Sequence, residues 1–97
     1  MQIKNLKDKL IRVERTVNVY LKDGSEPLYE INIDTVPFNN LLEIVPPTED
    51  DPLLYDGYEL EPEQINSINH FLIDKIVPDF KVYTYILVAG GIYDWEK

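Results

Sequence analysis

Residues 49–64 read EDDPLLYDGYELEPEQ and hold the densest group of chemically active side chains in the chain. The stretch contains seven carboxylates and two tyrosines but no lysine or arginine. Carboxylates can bind a metal ion, act as acids or bases, or attract a basic partner. Spacing and neighbouring residues decide among these chemistries.

A calcium site is disfavoured by the spacing of the acids. An EF-hand loop has oxygen ligands at positions 1, 3 and 5 and a glycine at position 6. With Gly57 at position 6, Pro52 and Leu54 fall where two of the three ligands should be. The chain also has no cysteine, which excludes a thiolate metal site. We therefore predict neither a metal ion nor a cofactor.

Groups for nucleophilic catalysis are equally scarce. His70 is the only histidine and lies within a predicted helix, with Ser67 three residues before it, while Ser25 falls in a predicted turn. A nucleophile needs an oriented base beside it, and no such set can be assembled from these residues. We predict that the protein is not an enzyme, and a small carboxylate-dependent hydrolase is retained only as an alternative.

The charge is unevenly distributed along the chain. Residues 1–22 carry six basic and two acidic side chains, and residues 75–97 carry three of each. Residues 23–74 carry thirteen acidic side chains and no lysine or arginine. The net charge of −9 is thus concentrated in the middle of the chain, where a negative field disfavours binding to nucleic acid or to an anionic membrane.

A solvated loop is the simplest interpretation of an acidic run. A binding surface is favoured here because leucines and tyrosines alternate with the acids, and because Pro47, Pro52 and Pro62 restrict the backbone. Carboxylates steer and engage lysine and arginine, while tyrosines supply contact area at low entropic cost. Trp95, in the tail YDW, either joins this surface or packs on the sheet. The predicted partner-binding residues are Glu49, Asp50, Asp51, Tyr55, Asp56, Tyr58, Glu59 and Trp95.

Three segments predict the strands that position this loop. In Leu10–Lys22, apolar and polar residues alternate, and only Arg15 interrupts the apolar side. An Asp-Gly pair then predicts a tight reversal, and residues 28–33 return as an antiparallel strand. Residues 80–91 are rich in aromatic and β-branched residues and predict a third strand, placed centrally beside the first.

Two segments predict helices on either side of the acidic stretch. Asp34 or Thr35 is expected to cap a short helix that reaches Val45. The second helix is predicted from Pro62 to Asp74, with an apolar stripe at helical spacing. The order strand, strand, helix, helix, strand predicts an α+β fold, a small antiparallel β-sheet with two helices packed on one face.

The length of the chain is sufficient for one hydrophobic core. Its 97 residues predict a single domain over 1–97, with residues 1–9 as a short helical turn or a loose arm. No apolar segment approaches the roughly 20 residues needed to cross a bilayer, and no signal peptide is evident. We predict a cytoplasmic protein with no membrane contact, and its oligomeric state stays open.

Two runs of the chain carry a family resemblance: EDDPLLYDGYELEPEQINSI and, after it, VYTYILVA. They resemble a family of small acidic bacterial proteins. In that family the motif E-D-D-P-L-x-Y-x-x-Y-x-L/V-x-x-E-Q leads into a helix and a tyrosine-rich last strand. The resemblance covers roughly residues 49–90. Members of this kind look like immunity proteins encoded beside polymorphic or contact-dependent growth-inhibition toxins. The resemblance implies binding of a cognate toxin domain.

Charge and resemblance together predict the class of function. We expect an immunity protein that neutralises a toxin domain, a basic nuclease, by covering it with an acidic surface. The alternative is a regulatory module that mimics nucleic acid against a protein other than a toxin. Neither requires direct contact with nucleic acid.

Overall fold

A computed structural model describes residues 10–93, so the predicted arm at residues 1–9 lies outside the described residues. The elements in chain order are β1 (Leu10–Leu21), β2 (Tyr29–Asn32), α1 (Phe38–Ile44), β3 (Tyr58–Glu59), α2 (Pro62–Asn69) and β4 (Tyr83–Tyr93). The strands form one antiparallel sheet in the order β2-β1-β4-β3. The predicted α+β class is confirmed, as is the central position of the last strand beside β1.

The alternation of β1 divides the sheet into two faces. Val17 pairs with Leu87 and Val19 with Tyr85, and these four side chains belong to the buried core. Core side chains of both helices, Leu41 of α1 and Ile65 and Ile68 of α2, pack on this face. We call it the covered face. The remaining core side chains are Ile33, Val36, Val45, Leu54, Leu60, Leu72 and Ile76. Because burial of a large apolar side chain stabilises by about 1.5–3 kcal/mol, this cluster supplies most of the driving force for folding.

The helix α1 begins differently from the prediction. Neither Asp34 nor Thr35 is the N-cap, because the helix starts at Phe38 with Pro37 in the cap position. The Asp34 carboxylate instead accepts a hydrogen bond from the backbone N–H of Arg15 on β1, at 2.9 Å. An Asp side chain that bonds to a strand is not free to cap a helix, so the prediction of the cap was wrong.

The helix α2 begins at Pro62, as predicted, but ends at Asn69 rather than at Asp74. The side chain of Asn69 accepts a hydrogen bond from the N–H of Ile76 at 2.7 Å and donates to its C=O at 2.8 Å. The Lys75 ammonium donates to the carbonyls of Asn69 and Leu72. These bonds close a loop after the helix, because an asparagine side chain competes for backbone groups.

The strand β3 was not predicted. Tyr58 and Glu59, inside the acidic stretch, pair with Leu87 and Ile86 of β4. The N–H of Leu60 then donates to the C=O of Tyr85 at 2.8 Å and extends the pairing. The acidic stretch is therefore part of the sheet edge. Across residues 10–93, no helix has the length and apolar character that a membrane crossing requires.

Candidate functional site

The acidic loop, defined here as residues 49–59, is organised around the carboxylate of Asp51. One oxygen, Oδ1, accepts the N–H of Tyr55 at 2.8 Å. The other, Oδ2, accepts the N–H of Asp56 at 2.9 Å and the hydroxyl of Tyr58 at 2.6 Å. The Asp51 residue is only 6% exposed. Its carboxylate therefore holds the loop together by hydrogen bonds.

These hydrogen bonds also lower the pKa of Asp51 below its usual value. The Tyr58 hydroxyl is the largest cause, and partial burial opposes it. The N–H groups of Asp56 and Tyr55 and the positive charge of Arg15 add to the lowering. The hydrogen-bond donors and Arg15 all favour the ionised carboxylate. Asp51 therefore stays negatively charged except in acid and continues to hold the loop.

Leu54 anchors the loop from below. Its side chain is fully buried in the core, whereas Leu53 before it is exposed. Its φ of 57° lies in the left-handed region, which a bulky residue rarely adopts. Such a conformation persists only where the surroundings over-determine it. Here burial of Leu54 and the Asp51 hydrogen bonds fix the direction in which the loop projects.

Arg15 connects the loop to the centre of the sheet. Its Nη2 donates to the carbonyl of Leu53 at 2.6 Å. Its guanidinium lies 4.7 Å from the centroid of the Phe38 ring and 5.9 Å from that of Tyr55. Its Nε is buried and has no partner within residues 10–93. The residue that interrupts the apolar side of β1 thus ties the acidic loop to β1 and α1.

The predicted site residues divide into supports and exposed groups. Asp51 is buried and Tyr58 is half-buried against it, so these two predicted partner-binding residues lie within the loop as its supports. Tyr55 is 52% exposed, and its ring lies over the Arg15 guanidinium. Trp95 lies outside the described residues. The exposed carboxylates are those of Glu49, Asp50, Asp56 and Glu59.

Glu59 lies on the side of the sheet opposite the helices. Because Tyr58 pairs with Leu87 on the covered face, the next residue of β3 faces the opposite side of the sheet beside Ile86. This opposite side carries no helix within residues 10–93 and is here called the open face. The exposed acids therefore continue from the loop onto the open face.

The carboxylate of Asp34 lies at the other edge of the sheet, the β2 edge. Asp34 follows β2 and accepts hydrogen bonds from the Arg15 N–H, from Arg12 Nη1 at 2.8 Å and from Asn32 Nδ2 at 3.1 Å. Partial burial acts to raise its pKa, but these bonds outweigh it and the pKa is lowered. A cleft of about 350 Å³ lies beside it, lined in part by Arg12, Arg15 and Phe38.

A shallow cleft of about 280 Å³ brings Ser67, His70 and Glu43 together. The sequence offered Ser67 and His70 as neighbours on a helix, while Glu43 comes from α1 and gave no local signal. No hydrogen bond joins the three side chains, all of which the structure describes. Within residues 10–93, no three acidic or histidine side chains form a group that could hold a metal ion.

Comparison with known proteins identifies a protein family that this chain matches. The model of a family described as a domain of unknown function, DUF7683, matches residues 14–88. The matched span includes both helices, the acidic loop and most of the sheet. Comparisons with curated proteins and with solved structures each found no match. Because the match covers most of its length, this chain belongs to the DUF7683 family.

Proposed function

We propose that this protein is a cytoplasmic immunity protein of a polymorphic or contact-dependent growth-inhibition system, which binds a cognate antibacterial toxin domain and neutralises it. The toxin domain we expect is a basic nuclease. The proposal is supported by the motif resemblance of residues 49–90 and by the charge map, in which residues 23–74 carry no lysine or arginine. The binding mechanism is occlusion and requires no cofactor.

The observation that carries the proposal is the way in which the acidic loop is held. Asp51 and Leu54 are buried, and around them Asp50, Tyr55 and Asp56 are exposed. A loop fixed by internal hydrogen bonds loses little conformational entropy on binding. Carboxylates on such a loop can meet lysine and arginine side chains without first being ordered, which favours specificity as well as a fast encounter.

Long-range attraction should contribute strongly to the rate of association. The negative middle of the chain attracts a basic domain before contact, and this attraction falls as salt screens it. Tyr55 adds a rigid aromatic surface beside the acids. In this assignment Asp51 and Tyr58 act indirectly, because they position the loop and do not touch the partner.

The test is binding of the toxin domain encoded beside the gene for this protein, measured by calorimetry at two salt concentrations. The variant Asp50→Lys, Asp56→Lys, Glu59→Lys should weaken binding by about 100-fold and flatten its salt dependence. Three carboxylates that attract basic side chains of the toxin become ammonium groups that repel them. The proposed surface would be wrong if the variant bound as tightly as the wild type.

A matched control carries the same change in net charge elsewhere. Asp23→Lys, Glu26→Lys, Asp74→Lys also reverses three exposed carboxylates, but away from the acidic loop. We expect this control to lower the association rate modestly and to leave the dissociation rate unchanged. Equal effects of the two variants would indicate that only the overall charge matters.

A further inference from the structure

The cleft beside Asp34 has the size and the lining of a binding site. Its volume of about 350 Å³ lies within the roughly 300–1,000 Å³ that is typical of ligand sites. Apolar side chains of α1 and of the segment before it contribute to the lining, and the polar groups come from Arg12, Arg15 and Asp34. A few polar groups among apolar ones fix the specificity of such a site, so the partners of these three side chains indicate what the cleft can bind.

Two of the three polar side chains already face an opposite charge. Arg12 forms ion pairs with Asp34 at 2.8 Å and with Glu14 at 3.3 Å. The Asp34 carboxylate also accepts hydrogen bonds from the Arg15 N–H and from the Asn32 amide. Because Arg12 and Asp34 neutralise each other, neither of them selects a charged ligand.

Arg15 is the cation of the cleft that lacks a carboxylate. Among the described residues, no acidic side chain forms an ion pair with it. Its Nη2 donates to the neutral carbonyl of Leu53, and its buried Nε has no acceptor within residues 10–93. The Phe38 and Tyr55 rings lie near the guanidinium, but neither forms a hydrogen bond with Nε. An arginine is rarely buried unless it is paired, so Arg15 points to an absent anionic group.

The outer edge of β1 beside the cleft lacks a partner as well. The C=O of Arg15 accepts the N–H of Ile33, and the N–H of Arg15 donates to the Asp34 carboxylate, so this backbone unit faces the β2 side. Backbone groups of an antiparallel strand alternate in direction, which turns those of Val13 to the same side. Val13 lines the cleft, and in the part of the chain that the structure describes β2 ends before it can pair there.

We propose that this cleft binds an extended acidic segment of a partner protein, which adds as a strand beside Val13 and places one carboxylate against Arg15. An extended segment supplies both absent groups together. Its backbone pairs with the outward N–H and C=O of Val13, as when a peptide adds to a sheet edge. Its acidic side chain accepts hydrogen bonds from the guanidinium, whose planar donors match a carboxylate. A small free acid would supply only the second of these groups.

The alternation of β1 places the two contacts within reach of one another. Val13 and Arg15 share the face of the core residue Val17, so the partner residue opposite Val13 also points to this face. That residue is diagonal to Arg15, a separation that a long side chain can bridge. Because Nε is buried and the Phe38 ring lies 4.7 Å from the guanidinium carbon, we expect this ring to turn aside when the carboxylate enters.

The charge along the chain agrees with an acidic segment at this edge. Residues 1–22, which include β1, carry six basic and two acidic side chains, whereas residues 23–74 carry no lysine or arginine. The basic toxin domain of the proposed function has the opposite charge and would meet the acidic loop. The cleft is therefore a second binding site for a different kind of partner, and neither proposal depends on the other.

The experiment is an NMR titration of the full chain with the peptide acetyl-Val-Thr-Glu-Thr-Val-amide, whose β-branched residues favour an extended backbone. The peptide should shift the backbone amide of Val13 and the ring resonances of Phe38. The glutamine analogue has the same shape without the charge and should bind about 10-fold more weakly. Methylation of the glutamate nitrogen removes one edge hydrogen bond and should weaken binding about 5-fold. Isovalerate, a carboxylate without a peptide backbone, should cause neither shift at the same concentration.

Two matched variants test the role of Arg15. Arg15→Lys keeps the positive charge but removes Nε and the planar set of donors, so it should weaken binding of the glutamate peptide by about 10-fold. Arg12→Lys makes the same change on the same strand, at an arginine that is already paired with Asp34 and Glu14, and should bind the peptide within about twofold of the wild type. Thermal denaturation checks that both variants fold. If Arg15→Lys does not fold, the comparison of the two peptides on the wild type decides.

Several results would overturn the acidic-segment site. One is the absence of the Val13 shift, and another is equal affinity of the wild type for the glutamate and glutamine peptides. If isovalerate binds as tightly as the peptide, the ligand is a small acid and not an extended segment. If sedimentation shows that the wild type dimerises and Arg15→Lys does not, a second copy of this chain fills the cleft. Peptide binding that persists where the neighbouring toxin fails to bind refutes the proposed function alone.

Discussion

Each edge of the sheet has an aspartate that accepts several hydrogen bonds, but one aspartate is partly exposed and the other is buried. Each edge has a short strand, four residues in β2 and two in β3, and each has one aspartate that accepts several hydrogen bonds. Asp34 at the β2 edge has a side chain that is 34% exposed, and one of its partners is the arginine Arg12. Asp51 at the β3 edge is buried and bonds mainly to neutral donors.

This difference explains why only one edge presents a fixed surface. An exposed ion pair exchanges with water and contributes little to rigidity. A buried carboxylate with three neutral donors holds its loop in one geometry, because release would leave several groups unpaired. Arg15 joins the two edges, since its N–H donates to Asp34 and its guanidinium donates to Leu53.

The largest effect that tests this comparison is truncation of one leucine at each edge. Leu54→Ala should lower the free energy of unfolding by about 2–5 kcal/mol, because it removes a fully buried side chain and leaves a cavity. Leu28→Ala, at the start of the β2 edge where the leucine is 48% exposed, should cost under about 1 kcal/mol. Urea denaturation measures both. Equal losses would refute the difference between the edges.

The next effect separates the two arginines. Arg15→Met keeps the aliphatic stem beside Phe38 but removes the hydrogen bond to Leu53. We expect a loss of about 1.5 kcal/mol, the low end for a charged hydrogen bond, because methionine also removes a buried Nε that lacks a partner.

Arg12→Met is the matched control on the same strand. Among residues 10–93 it breaks only exposed ion pairs, with Glu14 and Asp34, and it should cost roughly 0–1 kcal/mol. Hydrogen exchange should then show faster opening at the amides of Tyr55 and Asp56 in Arg15→Met alone. If those amides stay equally protected, Arg15 does not hold the acidic loop.

Local pattern was enough to predict the central half of this fold. The alternation of β1 places Val17 and Val19 in the core, and the apolar character of the last strand places it beside β1. These predictions hold because each rests on many residues that agree. Pro62 likewise starts α2 as predicted, since proline fits the first turn.

The two errors in the helices involve side chains that bond to backbone outside the helix. Asp34 bonds to β1 instead of capping a helix, and Asn69 bonds to Ile76 and ends α2 early. Asp50 and Asp51 are neighbours of the same type, yet only the second turns inward, because Tyr58 lies within reach once Leu54 adopts its left-handed conformation. Sequence spacing carries no signal for such contacts. The short alternation in residues 58–60 could have indicated β3, but two paired residues are too few to stand out.

The smallest predicted effect compares the two carboxylates by pH and salt. The folded-state pKa of Asp51 lies below its unfolded value, so its ionised form stabilises the protein above about pH 4 and this contribution is lost as pH falls through the folded-state pKa. Asparagine does not titrate, so Asp51→Asn should lower Tm most at neutral pH, and the difference from the wild type should shrink in acid. Asp34→Asn should behave with the same sign but a smaller amplitude, because the Asp34 side chain is more exposed and water can replace its hydrogen bonds more easily. High salt should further reduce the Asp34 difference, since one of its partners is the exposed Arg12, and should leave the Asp51 difference unchanged because its nearest partners are neutral. A salt response of the same size in both variants would show that charge attraction rather than hydrogen bonding holds the acidic loop.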